Sequence, residues 1–130
     1  MTHTPLDPAG MAEMGTPNYT HAMVTEGVGK WLHIAGQVGV LPDGTTASGT
    51  LAQCRQAFAN IGMLLDGAGM TKDDVAHLRI YLIDRDDILA LRQARTEFFG
   101  EDRVLPSTLV LVSGLVKPEW RVELEIVAAR

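Results

Sequence analysis

Between residues 50 and 69 apolar side chains recur on a helical beat. Leu51, Cys54, Ala57, Phe58, Ile61, Leu64, Leu65 and Ala68 follow one another at steps of 3, 3, 1, 3, 3, 1 and 3. Those steps place all eight on one stripe of an α-helix. Thr50 and Gln53 have the spacing of a capping box at its start, and Gly67-Ala68-Gly69 predicts its stop. Cys54 lies on the stripe, so a small buried core residue is expected there rather than a reactive thiol. A second helix is predicted over 84–100, where Ile88, Leu91, Arg95 and Phe98 share one side. Its acidic opening, Asp84-Arg85-Asp86-Asp87, suits the positive end of a helix dipole. Arg95 stands out on that side as a charge among apolar neighbours.

Elsewhere the pattern alternates, which predicts strands. A first strand is expected over 19–25 and a stronger one over 28–40, with a glycine turn between them. In the stronger one Trp31, His33 and Ala35 fall on one face, and Leu32, Ile34 and Gly36 on the other. Pro42-Asp43-Gly44 marks a tight turn. Over 75–84, Ala76, Leu78, Ile80 and Leu82 oppose Val75, His77, Arg79 and Tyr81. The strand over 107–114 is led in by Pro106, whose missing N–H is harmless at a strand's first position. In the last strand, over 120–129, Val122, Leu124 and Ile126 oppose Arg121, Glu123, Glu125 and Val127. Pro5, Pro8 and Pro17 make residues 1–18 an N-terminal loop or tail. The order ββ, helix, β, helix, ββ predicts an α+β fold with two helices on one face of a mixed sheet. No repeat or linker interrupts it, so residues 1–130 are expected to form a single domain.

Composition narrows the partners. Hydrophobic residues make up 46% of the 130, enough for a core, and at 5% aromatic that core should be aliphatic. The net charge of −5 and the scattered basic residues give no electrostatic footprint for nucleic acid. One cysteine excludes an internal disulfide and suits a reducing cytoplasm. The first residues carry no secretory pattern, and no apolar run approaches the roughly 20 residues of a spanning helix. A soluble cytoplasmic protein without membrane or nucleic-acid partners is the expectation.

Standard catalytic motifs are missing: no phosphate loop, GxGxxG, HExxH or CxxC occurs. His3, His21, His33 and His77 have no metal-site spacing, so neither a metal nor a cofactor is expected. A triad of Ser107, His33 and Asp84 can be written on paper but lacks a nucleophile elbow. Glu123 and Glu125 point to the same side of the last strand. Two roles are open to them: a solvated or cross-strand-paired face, or a carboxylate held at a cleft as a general acid/base.

The segments Asp7–Met11, Tyr19–Met23, Trp31–Val40, Leu51–Met70, Asp73–Asp84 and Arg121–Ala128 together resemble the RidA/YjgF family, once called L-PSP endoribonucleases. The resemblance implies a chorismate-mutase-like α+β fold and a homotrimer with ligand clefts between subunits. Its best-known members hydrolyse enamines and imines to a 2-keto acid and ammonia. In them an arginine just before the serine that opens the strand grips the substrate carboxylate, and a glutamate on the last strand handles water or a proton. By this resemblance Glu123 is the candidate catalytic residue. Tyr19, Ala35, Gly36, Arg92, Pro106, Ser107, Thr108 and Trp120 are ligand-binding candidates, Thr108 replacing a residue that is often cysteine. Pro106 takes the arginine position and offers no donor, and the loop over 113–120 is about two residues longer than the family pattern. Arg79, Arg92, Arg95 and Arg103 are the cations that could substitute. The expectation is a trimer binding a small metabolite without the standard deaminase activity. The alternative is an imine or enamine hydrolase using Glu123 and a relocated arginine. Ribonuclease activity conflicts with the acidic balance.

Overall fold

The computed structural model describes residues 1–16 and 18–130. The helical stripe becomes α1 (Thr50–Gly67), and Cys54, Ala57, Phe58, Ile61 and Leu65 on it are buried. The second helix, α2 (Ile88–Phe99), buries Leu91, Ala94 and Phe99. All three phenylalanines of the chain meet where the helices touch: the Phe58 ring centroid lies 5.2 Å from Phe98 and 5.8 Å from Phe99. Such offset and edge-on pairs add to the burial of the rings themselves.

The strands are β1 (Thr2–Leu6), β2 (Ala22–Glu26), β3 (Trp31–Val38), β4 (Val75–Leu82), β5 (Ser107–Leu111) and β6 (Val122–Ala129). β3, β6, β4 and β5 form a four-stranded sheet in that order, while β1 and β2 form a separate antiparallel pair. β4 and β5 run parallel, joined across α2, and β6 is antiparallel to both its neighbours. The sheet is therefore mixed, and α1 packs on β3 and β6. Leu78, Ile80, Leu82, Leu124, Ile126 and Ala128 point into that contact and complete an aliphatic core. Gly39 sets how closely α1 can approach: a Cβ there would stand 2.5 Å from the Gln53 Cα.

Three local expectations are corrected. Residues 1–18 are not all loop, because Thr2–Leu6 pairs with β2, His3 facing Thr25. Its Nδ1 and the Thr25 hydroxyl oxygen are 2.8 Å apart. Pro5 is tolerated because β1 is an edge strand with unpaired positions to spare. The capping box at Thr50 and Gln53 does not form, since Gly49 is the N-cap. The Thr50 hydroxyl instead donates to Asp87 at 3.0 Å, and Gln53 bridges the Arg121 N–H and the Glu119 carbonyl. Arg85–Asp87 is a 3-10 turn capped by the Asp84 carboxylate, so α2 begins at Ile88 rather than at 84.

Two breaks in register change which way side chains face. One lies in β3 between Ile34 and Gln37, the other in β4 between Val75 and His77. A bulge moves later residues to the opposite face. Val75 is accordingly buried in the core, and Gly36 faces Glu123 rather than joining Leu32 and Ile34.

Candidate functional site

The sheet face away from the helices carries His33, Arg79, Tyr81, Glu123, Glu125, Thr108 and Val110. At the start of β5 it opens into a cleft of about 650 Å³. Tyr19, Pro106, Ser107 and Thr108 line this cleft, together with Trp31 and His77. Four of the predicted site residues therefore meet. Pro106 is buried, its carbonyl accepts from the Leu78 N–H at 3.2 Å, and its ring has nothing to donate.

Arg95 resolves its odd place on the helix at this point. Its guanidinium donates to the Ser107 hydroxyl at 3.0 Å and to the Leu105 carbonyl at 3.3 Å, so it grips the chain on either side of Pro106. Burial, then the charges of Arg92 and Arg103, holds its pKa below the usual arginine range. It stays charged at any physiological pH.

The other lip of the cleft is held by a short polar network. Thr20 and the His21 N–H donate to Asp7 at 2.8 and 2.6 Å, and Tyr19 and His21 are in hydrogen-bond contact at 3.1 Å. The His21 backbone bond, followed by the Thr20 hydroxyl, keeps the Asp7 carboxyl below its ordinary pKa. His77 is also shifted down, first by burial and then by the Arg79 charge, with Glu125 opposing.

The two glutamates of β6 separate into two roles. Glu125 accepts a 2.5 Å hydrogen bond from the Tyr81 hydroxyl and lies 3.8 Å from Arg79. That bond raises the Tyr81 pKa, and Glu125 fits the cross-strand reading. Glu123 has no hydrogen bond or ion pair among the described residues and lies against Gly36, where a Cβ would stand 2.4 Å from its Oε1. Ala35 is exposed next to Gly36, and its carbonyl accepts from Gln37 at 3.0 Å.

Glu123 does not reach the cleft of its own chain. It sits opposite Tyr81 on β4, which in turn sits opposite Val110 on β5. Two strand spacings, about 10 Å, therefore separate Glu123 from β5. Trp120 is also apart, donating to Thr46 at 3.3 Å with the Lys117 ammonium 5.5 Å from its ring. Arg92 lines a smaller pocket with Arg95 and Arg103. Sequence reasoning missed His77 and Trp31 as cleft residues, although their outward strand positions were legible. Cys54 is fully buried, and burial plus the nearby Asp87 charge pushes its thiol up to about 12, so it is chemically quiet.

These features define a two-layer α+β protein with an open, ionisable sheet face and a cleft at the start of its parallel strand. Comparison with known proteins then gives the family. The family model described as Endoribonuclease L-PSP matches residues 12–130. A RutC family protein of Pyrococcus horikoshii is 30% identical over 102 residues, 77% of this chain and 79% of that protein. The crystal structure of a Rid-family protein of Yersinia pestis superposes with a TM-score of 0.82 at 31% identity, covering 100% of both chains. The 3-aminoacrylate deaminase RutC of Acinetobacter baylyi is 36% identical over 77 residues, 59% of this chain and 60% of that protein. The chain belongs to the RidA/YjgF family.

Proposed function

We propose that this protein is a homotrimer that binds a small metabolite at clefts between its subunits, without standard 2-imino-acid deaminase activity. Pro106 carries the reading. A carboxylate held by a bidentate arginine gains two charge-assisted hydrogen bonds that proline cannot make. Losing one partner of such a buried pair costs about 2–5 kcal/mol. The need for a second chain follows from the gap between Glu123 and the Pro106 cleft. Two copies would set the free carboxylate of one against the cleft of the other. A reducing cytoplasm is the compartment that suits the lone buried thiol.

A second reading has its own support. Arg95 holds a guanidinium within 3.0 Å of Ser107, next to the missing donor, and one relative is a 3-aminoacrylate deaminase. In that reading water adds across the C=N bond, with Glu123 taking the water's proton and delivering it to nitrogen. A second proton then passes from the new hydroxyl to nitrogen by way of Glu123, so that the C=O bond forms as the C–N bond breaks and ammonia leaves. Ammonia release from freshly generated 2-iminopropanoate separates the two. Release no faster than in buffer is expected. Turnover that disappears in Glu123→Gln would overturn the binding-only reading in favour of the second. A stable monomer in sedimentation would overturn both.

A further inference from the structure

Alongside the cleft, a second pocket of about 180 Å³ lies between α2, the turn after it and the segment before β2. Arg92, Arg95 and Thr96 reach it from one side of α2, at the i, i+3, i+4 spacing that puts side chains together. Arg103 comes from the following turn, and Thr16 and Asn18 add polar walls. No carboxylate lines this pocket, and none of the three arginines makes an ion pair among the described residues.

The charges are concentrated and poorly compensated. Arg92 is exposed and has no hydrogen bond among the described residues. Arg95 is bonded only to the neutral groups of Ser107 and Leu105. Arg103 spends its Nη groups on the carbonyls of Val104, Asp73 and Val75 at 3.0, 3.3 and 2.7 Å, and its Nε is buried without a partner. The charges of Asp73 and Asp74 favour ionised Arg103, yet burial outweighs them. Arg92 and Arg103 in turn disfavour the charge on Arg95. Three guanidinium groups around a small half-enclosed space, with no carboxylate among the described lining residues, make a cradle for an anion.

We propose that Arg92, Arg95 and Arg103 bind a phosphate group, as the free ion or on a small monoester. This rests on the reading that the protein binds a small metabolite, and it gives that metabolite a phosphate group seated beside the cleft. A monocarboxylate offers one charge and two oxygens to three cations. A phosphate offers up to two charges and three or four acceptor oxygens, which matches them better. Arg95 couples the two spaces, since it lines this pocket while bonded to Ser107 in the wall of the cleft.

The test is calorimetric titration of the full chain at low ionic strength with inorganic phosphate, glycerol 3-phosphate and pyruvate. Both phosphates are expected to bind, with pyruvate at least about tenfold weaker. Arg92→Gln should weaken phosphate binding by about ten- to a hundredfold, the loss of one charge-assisted contact. Arg92→Lys should fall between it and the unaltered chain. Arg92 is exposed, so the ligand-free melting temperature of both variants should stay unchanged. Tighter binding of the ester would identify a phosphomonoester; tighter binding of the ion would identify free phosphate. No phosphate binding, binding indifferent to Arg92→Gln, or pyruvate binding as tightly as phosphate would each overturn the proposal. Pyruvate binding alone would do so while leaving the small-metabolite reading standing. The ammonia and sedimentation measurements judge that reading separately.

Discussion

Along β6, Val122, Leu124, Ile126 and Ala128 are buried under the helices, while Glu123, Glu125 and Val127, one residue out of step, are only half-buried on the other side. The same strands thus serve two surroundings. The helix-covered face is aliphatic and closely packed, and its residues hold the fold. The open face is ionisable, with hydrogen bonds and one free carboxylate, and its residues contribute little to the core. Substitutions on the first should read out as stability and on the second as binding or assembly.

The largest effect should come from the covered face. Leu124→Ala is expected to cost about 2–5 kcal/mol in urea unfolding, because a fully buried site cannot close over the lost volume. A midpoint within error of the unaltered protein would mean the two faces do not differ as described. A finer comparison uses two glycines three residues apart. Gly39→Ala drives a Cβ against the backbone of α1 and should destabilise by about 1–3 kcal/mol. Gly36→Ala meets the Glu123 side chain first, and that side chain can swing aside. Its melting temperature should move less, while any property that depends on the Glu123 position should be lost. Equal melting shifts would blur the distinction.

The smallest effect concerns His77. Its pKa when folded lies below the ordinary 6.5, so the folded state binds a proton less readily than the unfolded chain. The stability this group contributes is therefore complete above about pH 6.5 and lost as pH falls through the folded value. Urea midpoints from pH 7.5 to 5 should decline less steeply in His77→Gln. A decline of the same slope would assign the acid sensitivity elsewhere.

The helices were legible because a stripe such as Leu51 to Ala68 has one geometric meaning. Strand faces were legible on β6, where the pleat is regular. They failed at Gly36 and Val75, because a bulge leaves no mark in a pattern of alternating side chains. Thr50 and Gln53 had the right spacing for a cap, but partners far along the chain, Asp87 and Arg121, took their polar atoms. Prolines concealed β1 because edge pairing asks for fewer N–H groups than an interior strand does. In the site, Tyr19, Pro106, Ser107 and Thr108, which the resemblance singles out, line one cleft. The role of Arg95 was foreshadowed only as a charge on an apolar helix side. Its partner at Ser107 required the fold.

The position of β6 also bears on how the protein is made. It follows every other strand in the sequence yet lies between β3 and β4 in the sheet. During synthesis β3, α1 and β4 leave the ribosome with no strand to join them, and their apolar faces wait for Val122–Ala129. Pairing it there closes long loops late, a non-local step of the kind that slows folding.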